Sequence, residues 1–119
     1  FNYGYEFLRT SRGDSEEQGE IVRWENQSGV GHFTSLIAYG PGFIPQAADG
    51  QMMRARIVGS TITVWIFDTN LTTVLFTDSI SDSTFTSGYP GIGFYPGSSC
   101  GIPPNEHLFG FTSFTAREV

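Results

Sequence analysis

The chain has no lysine, one cysteine and no long apolar segment. The cysteine count excludes an internal disulfide, and the lack of a long apolar segment argues against a membrane-spanning helix. A single cysteine cannot form a disulfide within the chain, and Cys100 stands in a Ser, Gly and Pro loop where we expect an inert thiol. No apolar run approaches the roughly 20 residues of a membrane-spanning helix, so membrane insertion is not expected. No signal peptide is present, and a chain that begins at Phe1 indicates processing or a fragment of a longer chain.

Positive charge is scarce as well. The chain has six basic residues, all arginine, against twelve acidic residues, which gives a net charge of −6 and an isoelectric point near 4.6. Nucleic acids and anionic membranes are attracted to basic surfaces, so neither is an expected partner.

Aromatic residues and glycine are abundant: the chain has 11 Phe, 5 Tyr, 2 Trp and 15 Gly among its 119 residues. Together with many Thr and Ser residues, this composition favours short strands joined by turns. No window shows the 3.6-residue periodicity of an amphipathic helix. The composition therefore predicts a single all-β domain over residues 1–119, built as an antiparallel sandwich or barrel.

Strand-like segments separated by turn residues run along the whole chain. The predicted strands cover residues 3–8, 20–25, 32–39, 52–58, 61–67, 71–77, 89–95 and 107–117. Gly59-Ser60 joins two of them and is typical of a tight hairpin. After it, Ile62, Val64 and Ile66 alternate with Thr and aromatic residues, which predicts an aliphatic face and a Thr/aromatic face.

The run from Arg54 to Trp65 is followed by Asp82-Ser-Thr-Phe-Thr-Ser-Gly-Tyr-Pro-Gly-Ile-Gly and, near the end, by Gly110-Phe-Thr-Ser-Phe-Thr-Ala. These motifs resemble the concanavalin A-like lectin/glucanase superfamily, in particular its laminin G-like jelly-roll modules. The resemblance covers residues 50–117 and, more loosely, Tyr3–Tyr39, and it implies an antiparallel jelly-roll sandwich. Such modules are longer, so the chain resembles their C-terminal portion. Either the sandwich is small, or it is incomplete at the N-terminus, with an open sheet edge that another polypeptide completes.

Enzymes of this superfamily place paired glutamates in a Glu-x-Asp-x-x-Glu spacing, because glycoside hydrolysis needs two carboxyl groups facing the same bond. No such motif occurs in the chain. Glu16, Glu17 and Glu20 belong to a polar loop, and Glu25 stands at the far end of the strand that Glu20 begins. The isolated His32 and His107 do not form a zinc ligand set. We therefore expect no catalytic activity.

Carbohydrate recognition requires exposed aromatic rings that stack on sugar faces, with polar side chains beside them. The candidates are Trp24, Tyr39, Trp65, Tyr89 and Tyr95, with Arg54 as a polar partner. The alternative interpretation is that the two tryptophans belong to the core.

Asp78 and Asp82 bracket a Ser-rich turn, and the resemblance implies a calcium ion at the rim of such a module, held by carboxylates of this kind. The alternative is that these side chains cap local backbone N–H groups. Asn26-Gln-Ser and Asn70-Leu-Thr match the N-glycosylation pattern and favour an extracellular or cell-surface location.

The sequence therefore predicts a non-catalytic extracellular glycan-binding or adhesion module that has no cofactor, with a rim calcium ion as the alternative. A second hypothesis is a structural subunit of an extracellular assembly, such as a filament or surface layer, in which a neighbouring chain or a missing N-terminal segment completes the sheet. A third is a fragment of a glycan hydrolase or lyase whose catalytic residues lie upstream.

Overall fold

The computed structural model describes residues 3–9, 18–27, 30–92 and 111–118. Their regular secondary structure consists of strands alone, which confirms the all-β prediction. The strands are β1 (Gly4–Arg9), β2 (Gly19–Gln27), β3 (Val30–Tyr39), β4 (Met52–Val58), β5 (Thr61–Phe67) and β6 (Val74–Ser81). In this described part of the chain, no helix has the length and apolar character needed to cross a bilayer.

The strands form two antiparallel sheets of three strands each, in the orders β1-β2-β3 and β4-β5-β6. Within each sheet, strands that follow one another in the chain are hydrogen-bonded neighbours. Each sheet is therefore an antiparallel meander whose hairpins are local in sequence.

The β4–β5 hairpin has the predicted bounds. Gly59 has a φ of 60°, and with Ser60 it forms the two-residue connection, because glycine at the first central position suits the twist of a hairpin. Burial along β5 alternates with period two, and Ile62, Val64 and Ile66 are the buried residues. The aliphatic face predicted from the sequence is thus the inward face of this sheet.

The two sheets share one apolar core. Its buried members come from both sheets and from the loop after β3: Ile21, Tyr39, Ile44, Ile62, Val64 and Ile66. Burial of each aliphatic side chain stabilises the fold by about 1.5–3 kcal/mol, so this cluster is the main apolar contribution that joins the sheets.

The loop after β3 closes one end of this core through Ile44. The Arg9 guanidinium holds the loop, because it donates to Gln51 Oε1 over 2.9 Å and to the Pro45 carbonyl. Gly19 lies directly beneath Ile44, and a Cβ atom at position 19 would collide with the Ile44 side chain and crowd the carbonyl oxygen of Leu8. A larger residue at position 19 would therefore force the Ile44 side chain to move where the loop packs on β2.

Strand β6 begins three residues later than predicted and ends four residues later. The Asn70 side chain accepts hydrogen bonds from the N–H groups of Thr72 and Thr73, and Asp68 N–H donates to the Thr73 carbonyl, so the turn extends to residue 73. Asp78, which was predicted to lie in a loop, is part of β6 opposite Val64. Pairing with β5 overrides the loop-like Ser, Thr and Asp composition, because the ladder satisfies the backbone groups of these residues.

The chain divides into two compact units, residues 1–86 and 87–119, and both sheets belong to the first. In the second unit the described residues, 87–92 and 111–118, have no regular secondary structure. The predicted strands at 89–95 and 107–117 are therefore not formed at 89–92 or 111–117, and the rest of both segments lies outside the described residues. Without a partner strand, alternating side chains alone do not create a strand.

Candidate functional site

The two tryptophans face away from the core on different sheets. Strand alternation places Trp65 on the outer face of β4-β5-β6, because Val64 and Ile66 on either side of it face the core. Trp24 lies on the outer face of β1-β2-β3, next to the inward-facing Arg23. The six residues predicted from the sequence to bind glycans therefore do not form one site.

Trp65 stands at the centre of an outer surface rich in arginine and hydroxyl groups. Cross-strand register places Arg54 and Thr77 on either side of Trp65, and Arg56 and Ser79 on either side of Thr63. We call this set the arginine–tryptophan surface: Arg54, Arg56, Thr63, Trp65, Thr77 and Ser79. It includes Arg54 and Trp65, two of the six residues predicted from the sequence.

Direct contacts organise this surface. The guanidinium carbon of Arg54 lies 5.1 Å from the centroid of the Trp65 ring, within the range of a cation–π interaction. Ser79 Oγ donates to Thr63 Oγ1 over 2.8 Å, which holds two hydroxyl groups at fixed positions beside the ring. A half-buried aromatic ring, the planar cation over it and two hydroxyl groups thus share the outer face of this sheet.

The charge of this surface is opposite to that of the chain. Arg54 and Arg56 are both exposed, and neither forms an ion pair with another described residue. Since the net charge of the chain is −6, these two unneutralised arginines form a local positive surface on an acidic protein.

A second aromatic pair lies on the outer face of the other sheet. The Trp24 ring centroid is 5.3 Å from that of Phe33, its cross-strand neighbour, and Trp24 Nε1 donates to Glu6 Oε2 over 2.7 Å. On the other side of Trp24 stands Gly4, which has no side chain and has open space around it. Phe33 is 50% exposed and was not predicted, although its place opposite Trp24 follows once the β2–β3 register is known.

Tyr39 belongs to the core. The side chain is 7% exposed, and its ring makes an edge contact with Phe76 at a centroid distance of 4.8 Å. Its hydroxyl group donates to Asp78 Oδ2 over 3.0 Å. Burial and the neighbouring carboxylate raise the pKa of Tyr39 well above the ordinary value of 10.0. Stacking on a sugar requires a ring face that is open to solvent. The buried Tyr39 ring does not offer one.

Asp82 connects the two sheets. It accepts hydrogen bonds from the Tyr5 hydroxyl over 2.6 Å, from the Arg23 guanidinium over 2.5 Å and from the Thr84 N–H over 2.9 Å. Burial by itself would raise the pKa of Asp82, but the hydrogen bonds from Tyr5, Thr84 and Arg23 outweigh it and hold the pKa far below the ordinary value of 3.8. We call Tyr5, Arg23 and Asp82 the inter-sheet bridge.

The two carboxylates predicted to bind calcium thus have protein donors. Asp78 accepts from Tyr39, and Asp82 is the acceptor of the inter-sheet bridge. In the described ranges, no three His, Cys, Asp or Glu residues are grouped closely enough to hold a metal ion. These contacts account for both side chains without a cation, and calcium binding stays a sequence-based prediction.

Four of the predicted residues remain, namely Tyr89, Tyr95, Asn26 and Asn70. Tyr89 is fully exposed in the second unit, whereas Tyr95 and the side chain of Asn26 lie outside the described residues. Asn70 is exposed in the β5–β6 turn, where Nδ2 donates to Thr73 Oγ1 over 2.7 Å. Its side-chain amide group is thus engaged in closing the turn, and its glycosylation stays a prediction.

An open cleft of about 280 Å³ lies where β3 and β6 meet, lined by residues that include Ile37, Tyr39, Phe43, Phe76 and Asp78. Pockets that enclose drug-sized ligands begin at about 300 Å³ and bury most of the ligand surface. This cleft is open and slightly below that range, so it would leave much of a drug-sized ligand exposed to solvent. Glu20 and Glu25 face opposite sides of β2, so they do not form the facing carboxyl pair of a glycosidase.

Comparison of the chain with protein-family models, curated proteins and solved structures finds no match.

Proposed function

We propose that the protein is a non-catalytic glycan-binding module that uses the arginine–tryptophan surface. The observation that supports this function is the placement of the Arg54 guanidinium 5.1 Å from the Trp65 ring centroid, beside the hydrogen-bonded hydroxyls of Thr63 and Ser79. The apolar face of a sugar ring packs on an indole ring, and sugar hydroxyls exchange hydrogen bonds with guanidinium and hydroxyl groups.

The charge of the same surface favours acidic glycans. Arg54 and Arg56 are two residues apart on one strand, so their Cα atoms are about 7 Å apart. Guanidinium groups bind carboxylates in a bidentate manner, and neither arginine is neutralised by a described acidic residue. A polysaccharide with carboxylate groups would be attracted to this face and repelled by the rest of an acidic protein.

We also propose that the chain is the C-terminal part of a concanavalin A-like jelly roll that functions outside the cell. Two antiparallel sheets packed on a shared apolar core support a sandwich, whereas the meander order of the described strands is not the Greek-key order of a jelly roll. The exposed Asn70 of an Asn-Leu-Thr tripeptide supports the location.

A binding titration with Trp65→Ala tests the proposed function. We expect the unmodified protein to bind polygalacturonate, and the variant to bind it about 30-fold more weakly, because truncating a central tryptophan costs about 2 kcal/mol of binding free energy. Arg54→Gln is expected to weaken binding as well and to reduce its dependence on salt concentration. The measurement is isothermal titration calorimetry at two salt concentrations.

Trp24→Ala is the matched control, because it removes the same ring from the outer face of the other sheet. It is expected to leave polygalacturonate binding unchanged. A glycan site on the arginine–tryptophan surface would be contradicted by equal losses of affinity in both tryptophan variants. It would also be contradicted if the unmodified protein bound neither polygalacturonate nor dextran.

A second candidate function is a structural subunit whose open edge is completed by another chain. It is favoured by β4, whose inward-facing Met53 and Ile57 are 41% and 45% exposed. We expect the protein to self-associate as its concentration rises, because the exposed edge and apolar side chains of β4 favour pairing with a different segment of a neighbouring copy. Light scattering measures this directly, and a monomer that persists at high concentration would count against this function.

A further inference from the structure

The free edge of β4 presents three residues whose backbone groups point away from the sheet. β4 is the first strand in its sheet, and no described strand pairs with its other side. Because two residues connect the hairpin, Val58 and Thr61 form its first hydrogen-bonded pair, and the pairs then alternate along the ladder. The N–H and C=O groups of Met53, Ala55 and Ile57 therefore point outward.

The side chains of the same three residues face the core side of the sheet but are not covered by it. Met53 is 41% exposed and Ile57 is 45% exposed, whereas their partners across the ladder, Ile66 and Ile62, are 0% and 2% exposed. The opposite sheet therefore covers β5 and leaves β4 uncovered. Unpaired backbone groups and an uncovered apolar face occur together at this strand.

We propose that the β4 edge binds a strand of another polypeptide in which apolar and acidic residues alternate. Side chains directly opposite each other on neighbouring strands share a face of the sheet. Residues opposite Met53, Ala55 and Ile57 would face the core side, where apolar side chains are favoured. Residues opposite Arg54 and Arg56 would lie on the outer face, where a carboxylate pairs with each unneutralised guanidinium.

The position of the arginines disfavours a second copy of β4 as the partner. In a two-fold antiparallel pairing, Ala55 opposite its own copy places Arg54 opposite Arg56 at both ends. A slip of two residues in either direction places Arg54 opposite Arg54 or Arg56 opposite Arg56, and a further slip leaves only three residues of each strand paired. Like charges directly opposite each other destabilise a strand pair, so a different segment is selected.

This inference extends the structural-subunit candidate by naming the class of strand that would complete the edge, and it does not depend on glycan binding. The probes are two soluble peptides of seven residues, one alternating valine with glutamate and one alternating valine with lysine. We expect the glutamate peptide to bind at least about tenfold more tightly than the lysine peptide. With glutamate, two attractive cross-strand pairs with Arg54 and Arg56 replace the two repulsive pairs that lysine would form. The measurement is fluorescence anisotropy, with amide hydrogen exchange at Met53, Ala55 and Ile57.

Two variants make the test specific. Ala55→Pro removes an outward N–H group that β5 does not use, so the hairpin is expected to persist while peptide binding is lost. The double variant Arg54→Glu, Arg56→Glu is expected to bind the lysine peptide more tightly than the glutamate peptide. This second test can be made even if the proline variant fails to fold.

Equal affinity for both peptides, or no peptide binding, would overturn the inference. Self-association of the protein without a preference for the glutamate peptide would overturn it too, and would leave the structural-subunit candidate standing. A preference for the glutamate peptide in a protein that stays monomeric would support the inference. It would also count against a subunit that assembles with copies of itself.

Discussion

Replacement of Tyr39 by alanine is expected to lower the free energy of unfolding by about 3–5 kcal/mol, the cost of removing a large buried ring. The ring is 7% exposed and contacts Phe76 edge-on, so the truncation leaves a cavity where the two sheets meet. The hydroxyl group of Tyr39 also bonds Asp78 on the opposite sheet. Thermal and denaturant unfolding measure the loss.

Tyr39→Phe separates the ring from its hydroxyl group. Phenylalanine keeps the packing but leaves the Asp78 carboxylate without that donor, so we expect a smaller loss of about 1–2 kcal/mol. Phe43→Ala, which truncates an exposed ring nearby, is the matched control and should change stability little. A Tyr39→Ala variant as stable as the control would contradict the placement of this ring in the core.

The raised pKa of Tyr39 also gives the pH dependence a definite sign. The folded state favours the neutral phenol, so the contribution of Tyr39 to stability is fully present below pH 10.0 and is lost as the pH rises from there toward the higher folded pKa. The pKa of Tyr5 is raised too, by burial and by the hydrogen bond to Asp82. Alkaline destabilisation should therefore be smaller in Tyr39→Phe than in the unmodified protein.

Asp82→Asn is expected to lower the free energy of unfolding by about 2–3 kcal/mol at neutral pH. The asparagine has the same shape, but it lacks the charge that Arg23 faces across 2.5 Å and that the Tyr5 hydroxyl group also contacts. A charged acceptor of several hydrogen bonds contributes more than a neutral one, and the Asp82 side chain is only 13% exposed. Chemical denaturation at neutral pH measures the difference.

The acid limb of the stability profile tests the same contact independently. The folded pKa of Asp82 is depressed, so its contribution is present above pH 3.8, the ordinary value, and is lost as the pH falls below that toward the folded pKa. The unmodified protein should lose stability more steeply in this range than Asp82→Asn. Asp49→Asn, at an exposed loop position, is the control, and parallel acid profiles for all three proteins would contradict the inter-sheet bridge.

The arrangement of the first unit explains why three of the predicted functional residues, Tyr39, Asp78 and Asp82, have structural roles. The inward face of β6 carries Asp78, and Asp82 follows at its end, so both carboxylates point toward the opposite sheet. Tyr39 and Tyr5 extend from that sheet to meet them. Polar residues join the edges of the two sheets, while the aliphatic residues of β5 fill the centre.

The outer faces, in contrast, carry aromatic residues that do not belong to the shared core. Trp65 with Arg54 lies on one sheet, and Trp24 with Phe33 lies on the other. A ligand that contacts both aromatic surfaces at once would have to reach from the outer face of one sheet to that of the other. Each surface is therefore tested by its own tryptophan variant.

The sequence by itself determined the all-β class, the β4–β5 hairpin and the faces of β5. These features depend on neighbours only a few residues apart, through strand alternation and the geometry of the Gly59-Ser60 connection. Only the tertiary structure decided which carboxylates bridge the sheets, because Tyr5 and Asp82 are separated by 77 residues and no local pattern encodes their contact. It also decided that Tyr39 is buried and Trp65 faces outward, since the exposure of an aromatic ring depends on which sheet packs over its face of the strand.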